Sequence, residues 1–109
     1  MTGIDEKRPV RVVIYLREPV DAPGAVTTAY RQIDWVNAPA DGLRHCELLH
    51  DAEDEHDYAL HSEWDHLDAF RAWQNGPQHQ GRPSALRPFQ DRSRGRHYVV
   101  YQVAERSTA

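Results

Sequence analysis

The chain contains one cysteine, one methionine and one lysine among its 109 residues. A lone thiol, Cys46, excludes an intramolecular disulfide, a zinc ribbon and a cysteine-ligated iron–sulfur cluster. The single lysine, Lys7, sits in a polar N-terminal stretch, which argues against a Schiff-base mechanism that needs a desolvated amine. There is no run of about 18 apolar residues to span a bilayer. Met1 to Arg8 also lacks the apolar stretch of a signal peptide, so a soluble, cytoplasmic protein is expected. Gly-x-Gly-x-x-Gly, phosphate-loop and Gly-x-Ser-x-Gly patterns are all missing, which argues against dinucleotide binding and elbow-type hydrolysis. Acidic residues outnumber basic ones, 17 to 13, and no basic stripe is interleaved with aromatics; nucleic acid is not an expected partner.

What is present fits one small domain over residues 1–109, with a core from about 9 to 104 and a burial balance that dimerisation would improve. Val10 to Arg17 is rich in β-branched residues between Pro9 and Pro19, and predicts a strand with Val10, Val12, Ile14 and Leu16 on one face. Gly24 to Val36 has Val26, Ala29, Tyr30, Ile33 and Val36 near helical period, with Trp35 off the stripe. Leu43 to His50 and residues 57–64 predict a hairpin across an acidic loop. A second helix is expected over 65–74, ending at Asn75-Gly76-Pro77, and a last strand from His97 to Val103. The order β-α-β-β-α-β predicts an α+β, ferredoxin-like antiparallel sheet with both helices on one face. Its other face, carrying Val13, Tyr15, Ala59 and His61, is then free to pack against a second copy.

The densest signal is Tyr58 to Trp73. Tyr58, Leu60, Ser62 and Trp64 share one strand face, and the period then switches so that Leu67, Phe70 and Trp73 share a helix face. Asp65 is the expected N-cap, with Asp68 in the first turn. A strand delivering Trp64 into a helix presenting Phe70 and Trp73 builds either an aromatic-lined pocket or plain core; apolar residues at helical period most often serve packing.

Seven histidines invite a metal reading, but none forms the i, i+4 helical pair of a helical zinc site, and no metal is expected. His45, Glu47 and His61 are placed to approach one another across adjacent strands. The acidic cluster Asp51, Glu53, Asp54, Glu55 and Asp57 reads as a solvated hairpin loop without the ligand spacing of a calcium loop. His79, just past the helix stop, is the histidine best placed to act as a base near neutral pH, against the plain alternative of an exposed loop residue. Arg82 shares that loop and suits an anionic phenolate.

Trp64 closing a strand, followed by Asp-His-Leu-Asp-Ala-Phe-Arg-Ala-Trp and then Asn-Gly-Pro, resembles the antibiotic biosynthesis monooxygenase family of dimeric α+β barrels. Members show Trp-x-Ser/Asp-x-x-Ala-Phe-x-x-Trp/His here, and this chain departs in having His66 at the Ser/Asp position. The resemblance implies a homodimer that oxidises anthrone-like phenolic polyketide intermediates with molecular oxygen and no cofactor. It also implies a site in which Trp64, His79, Arg82 and Ser62 act, within a pocket of Ile14, Tyr30, Tyr58, Leu60, Phe70 and Trp73. Leu60 stands where anthrone oxidases commonly carry asparagine. Haem-degrading members place an asparagine where Ile14 stands and a ligand histidine near Arg82, three positions beyond His79. A polyketide cyclase or isomerase, or a non-catalytic small-molecule binder, would use the same pocket.

Overall fold

The fold is seen in a computed structural model that describes residues 7–33, 41–75 and 85–107. Its elements run β1 (Val10–Arg17), α1 (Ala25–Arg31), β2 (Leu43–His50), β3 (Asp57–Trp64), α2 (Leu67–Gln74) and β4 (Tyr98–Gln102), with a short 3-10 turn at Arg87–Phe89 before β4. The strands form one sheet in the order β2-β3-β1-β4, and every neighbouring pair is antiparallel. The expected ferredoxin-like α+β arrangement is therefore present.

Alternation along β1 explains its place at the centre. Val10, Val12 and Leu16 are fully buried on the helix side, while Arg11, Val13, Tyr15 and Arg17 point to the open side. The interior divides into two clusters. One gathers Val10, Val12, Trp64, Leu67 and Phe70 beneath α2; the other gathers Leu16, Val26, Ala29, Leu60 and Leu86 beneath α1. Ile14 packs against both.

Each helix is started by a side chain other than the obvious one. α1 begins at Gly24, whose φ of 85° is left-handed, and its first amides are taken by Glu18. This buried carboxylate accepts from the Gly24 N–H at 3.0 Å and the Val26 N–H at 3.1 Å, so the charge answers the orphan donors of the helix end. At α2 the expectation that Asp65 is the N-cap is corrected: the cap is His66, whose ring Nδ1 accepts the Ala69 N–H at 3.1 Å. Asp65 is committed elsewhere. Its N–H donates to the Gly42 carbonyl at 2.8 Å and its carboxylate pairs with Arg44, which holds it to the segment before β2 and makes His66 the first residue able to turn into the helix. The helix is thus capped by a ring nitrogen in place of a carboxylate or hydroxyl oxygen.

Gly42 is needed at that junction for two reasons. Its φ is 87°, and a Cβ on it would lie 2.5 Å from the Ala69 Cβ of α2. The acidic hairpin forms as expected but is pinned as well as solvated: Asp54 pairs with Arg17 at 3.2 Å and Asp57 with Arg94 at 3.1 Å. The first helix stops at Arg31, short of the expected Val36, and Trp35 lies outside the described residues.

Replacing His66 by Ala should lower unfolding free energy by about 1 kcal/mol in urea titration, and His66→Asp should recover it, since both the native and the Asp cap offer an acceptor to the N3 amide. Gly42→Ala should cost more, about 2 kcal/mol, because the left-handed backbone and the Ala69 contact act together.

Candidate functional site

The β3–α2 corner forms a compact aromatic group. Trp64 meets Phe70 edge-on with centroids 5.6 Å apart, lies 5.5 Å from Trp73, and Phe70 and Trp73 are 6.4 Å apart. The strand carries Trp64 inward because Tyr58, Leu60, Ser62 and Trp64 alternate with outward residues. The helix brings Phe70 and Trp73 over it at spacing three. Trp64 is 2% exposed, and its indole N–H donates to Ser62 Oγ at 3.0 Å. The indole nitrogen is therefore satisfied from within the protein, and what Trp64 presents to a neighbour is its ring.

Not all of the sequence-derived pocket residues meet there. Ser62, Trp64, Phe70 and Trp73 come together, and Ile14 joins them from β1 while also touching the second cluster. Leu60, Tyr30 and Tyr58 belong to that second cluster under α1. Tyr58 is six residues from Trp64, about 20 Å along the strand, and its ring stacks on His50 with centroids 4.1 Å apart. Tyr30 donates from its phenol to the Cys46 carbonyl at 3.4 Å. Burial, with Cys46 and Glu47 nearby, pushes that phenol above its ordinary value and keeps it a donor rather than a base at neutral pH. His79 and Arg82 lie outside the described residues.

Tyr98 is a wall residue that the sequence reading missed. It stands opposite Ile14 on β4 and packs half-buried against the Trp64 cluster. The alternation Tyr98-Val99-Val100-Tyr101 was the available signal, since it puts Tyr98 and Val100 on one face.

The opposite sheet face carries a different chemistry. Arg11 Nε is 2.7 Å from Glu63 Oε1, and Glu47 joins two histidines, His61 Nδ1 at 3.1 Å and His45 Nε2 at 3.1 Å. Hydrogen bonds from His45 and then His61 hold the Glu47 carboxyl below its ordinary range. That contribution to stability is present above the unfolded carboxyl's value and is lost as pH falls through the lower folded one. Among the described residues, no group of three or more His, Cys, Asp or Glu side chains is arranged to hold a metal ion. The three residues predicted to approach one another do so as a hydrogen-bonded chain. Leu49 and Tyr101 are large exposed apolar side chains on this same face. A shallow groove of about 310 Å³ runs across it between Arg11, Val13, His61 and Tyr101.

The sheet order, with both helices packed on one face and the aromatic corner where β3 turns into α2, defines a ferredoxin-like α+β protein. The chain belongs to the antibiotic biosynthesis monooxygenase family, whose model matches residues 9–81. SnoaB, a cofactor-independent oxygenase from Streptomyces nogalater, is similar in structure, with a TM-score of 0.66, 19% identity and coverage of 94% of this chain and 96% of that one. A heme-degrading protein from Mycobacterium tuberculosis gives a TM-score of 0.64 at 18% identity, covering 91% and 98%. A conserved protein from Methanosarcina mazei Go1 gives 0.68 at 10% identity, covering 88% and 93%. At these identities the likeness is one of fold. No curated protein matches the chain. No helix among the described residues is long and apolar enough to cross a membrane.

Cys46 sits on the helix-side face of β2, and burial, reinforced by Glu47, pushes its thiol up to about 12. At pH 8 it should react with iodoacetamide about tenfold or more slowly than a free cysteine, read as adduct mass against time, because the thiolate is the reacting form. Denaturant should abolish the protection.

Proposed function

We propose that this protein is a cofactor-independent monooxygenase that oxidises a phenolic, anthrone-type aromatic polyketide intermediate to a quinone with molecular oxygen in antibiotic biosynthesis. The observation that carries this reading is the Trp64–Phe70–Trp73 aromatic group in a member of the antibiotic biosynthesis monooxygenase family. The fold likeness to SnoaB, itself a cofactor-independent oxygenase, supports it.

The substrate carries the redox chemistry. A base removes a proton from the substrate's activated carbon to give an electron-rich anion, which passes one electron to oxygen; the radical pair combines to a carbon-bound peroxide. Loss of water leaves the new carbonyl, so one oxygen atom enters the product and the other departs as water. The protein's part is to hold a flat apolar substrate, exclude bulk water and stabilise the anion. The ring faces of Trp64, Phe70 and Trp73, with Ile14 and Tyr98 beside them, suit holding the substrate and excluding water. His79 is assigned as the base and Arg82 as the partner of the anion, both on the segment after α2. Leu60, Tyr30 and Tyr58, which pack beneath α1 apart from the Trp64 group, are assigned in this reading to the far end of the pocket.

In the same reading the protein is a cytoplasmic homodimer that pairs through its open sheet faces, the class of arrangement in which a twofold axis matches one patch to itself. Tyr101, 53% exposed, and Leu49, 43% exposed, are the apolar side chains such a contact would cover.

Chelator-treated protein given a tricyclic anthrone should consume oxygen and form a quinone spectrum above a heat-killed control, and His79→Ala should flatten the pH dependence of the rate near neutrality. Substrate turnover under nitrogen would instead indicate a cyclase or isomerase. Sedimentation should give about twice the 12.6 kDa chain mass, and Tyr101→Glu combined with Leu49→Glu should shift the population to monomer. A wild-type monomer would sink the pairing.

A further inference from the structure

Ser62 is one of two buried polar or charged residues among those described, at 8% exposure, and its side chain's only hydrogen bond there is the one it accepts from the Trp64 indole. That bond occupies one lone pair and leaves the hydroxyl hydrogen without an acceptor among the described residues. The neighbours make the situation costly. Along the strand Ser62 is flanked on its own face by Leu60 and Trp64, and across the sheet it is opposite Val12 and Cys46. A buried donor with nothing to donate to is disfavoured by more than a typical hydrogen bond contributes, so such groups ordinarily have a partner.

The position of the hydroxyl says what that partner is. Leu60 belongs to the cluster under α1 and Trp64 to the cluster under α2, so Ser62 lies at the seam between them, opposite Val12 and one pair along from the half-buried Ile14 that faces Leu60 and touches both clusters. The groups around the hydroxyl are aromatic and aliphatic, and it is the one directed donor among them. We propose that Ser62 donates its hydroxyl proton to an oxygen of the bound ligand, and that Trp64 is a positioning residue that orients this hydroxyl through its indole N–H. The ligand class is a planar polycyclic compound bearing a carbonyl or phenolate oxygen. The series N–H to O–H to ligand oxygen polarises in one direction and strengthens as negative charge gathers on that oxygen, the moment at which stabilisation counts. This assignment rests on the helix-side pocket being the substrate site.

The test uses 9-fluorenone, an inert tricyclic ketone that can only accept, and fluorene, which has the same shape without the oxygen. Equilibrium dialysis with the full-length chain should show tighter binding of fluorenone. Ser62→Ala should weaken fluorenone about fivefold while leaving fluorene within about twofold, the size expected of one neutral hydrogen bond. The carbonyl stretch of bound fluorenone should lie at lower frequency in the wild type than in Ser62→Ala. Trp64→Phe should move both readings part of the way, whereas a purely structural loss would weaken the two ligands alike. Ser62→Cys, nearly isosteric and a poor donor, should repeat the result of Ser62→Ala and serves if that variant fails to fold. An unchanged fluorenone-to-fluorene ratio and an unshifted stretch in a folded Ser62 variant would overturn the assignment while leaving the pocket intact. Failure of wild type to bind either compound would remove the pocket, and with it both this assignment and the proposed function.

Discussion

The structure is organised around the burial of one indole. Trp64 is the largest fully buried side chain, and it sits where β3 ends and the chain must turn into α2. An indole so placed brings a large apolar surface that wants a lid and an N–H that wants an acceptor. Phe70, Leu67 and Trp73 supply the lid at helical spacing, and Ser62, two residues earlier on the same strand face, supplies the acceptor. Much of the surrounding detail follows from holding that lid in place: the His66 cap, the Asp65 tether to Gly42, and the absence of a Cβ at Gly42 against Ala69.

The two sheet faces solve different problems. On the helix side, polar groups are few and each has a partner for at least one of its atoms: Glu18 starts α1, Ser62 receives the indole, and the Tyr30 phenol reaches the Cys46 carbonyl. On the open side, charges are paired with one another, Arg11 with Glu63 and Glu47 with two histidines, between apolar side chains. Such pairs contribute little individually while they remain wet. Because they are already satisfied, they would lower the cost of covering this face, which is the physical ground for the proposed pairing of two chains.

Family membership and geometry bear on function at different levels. Membership establishes the family and the fold, while proteins of similar shape include both an oxygenase and a heme-degrading protein. Shape therefore leaves the chemistry to side chains. Among the described residues those are an aromatic group, a buried hydroxyl whose proton has no acceptor, and a phenol and a thiol that are both kept protonated. Under the proposed function this set serves to bind and polarise a flat oxygenated molecule rather than to attack it.

Periodicity alone determined most of the architecture. The limits of β1, β2 and β3, the faces of Val10, Val12, Leu16, Leu60 and Trp64, and the helical stripe of Phe70 and Trp73 were all legible, since burial on one face imposes a period of two or about 3.6 on the residues themselves. The approach of His45, Glu47 and His61 followed from the same alternation across neighbouring strands. Three things belonged to the tertiary structure. Asp65 outranks His66 as a helix cap by residue type, yet contacts with Gly42 and Arg44, far away in sequence, had already claimed it. Glu18 reads as a loop carboxylate until the fold lays the start of α1 against it. That the Ser62 hydroxyl proton has no acceptor among the described residues is visible only once its neighbours across the sheet are known to be Val12 and Cys46. Local spacing records which face a residue occupies, but a hydrogen bond is settled by which groups from distant parts of the chain arrive within about 3 Å, and on that the pattern is silent.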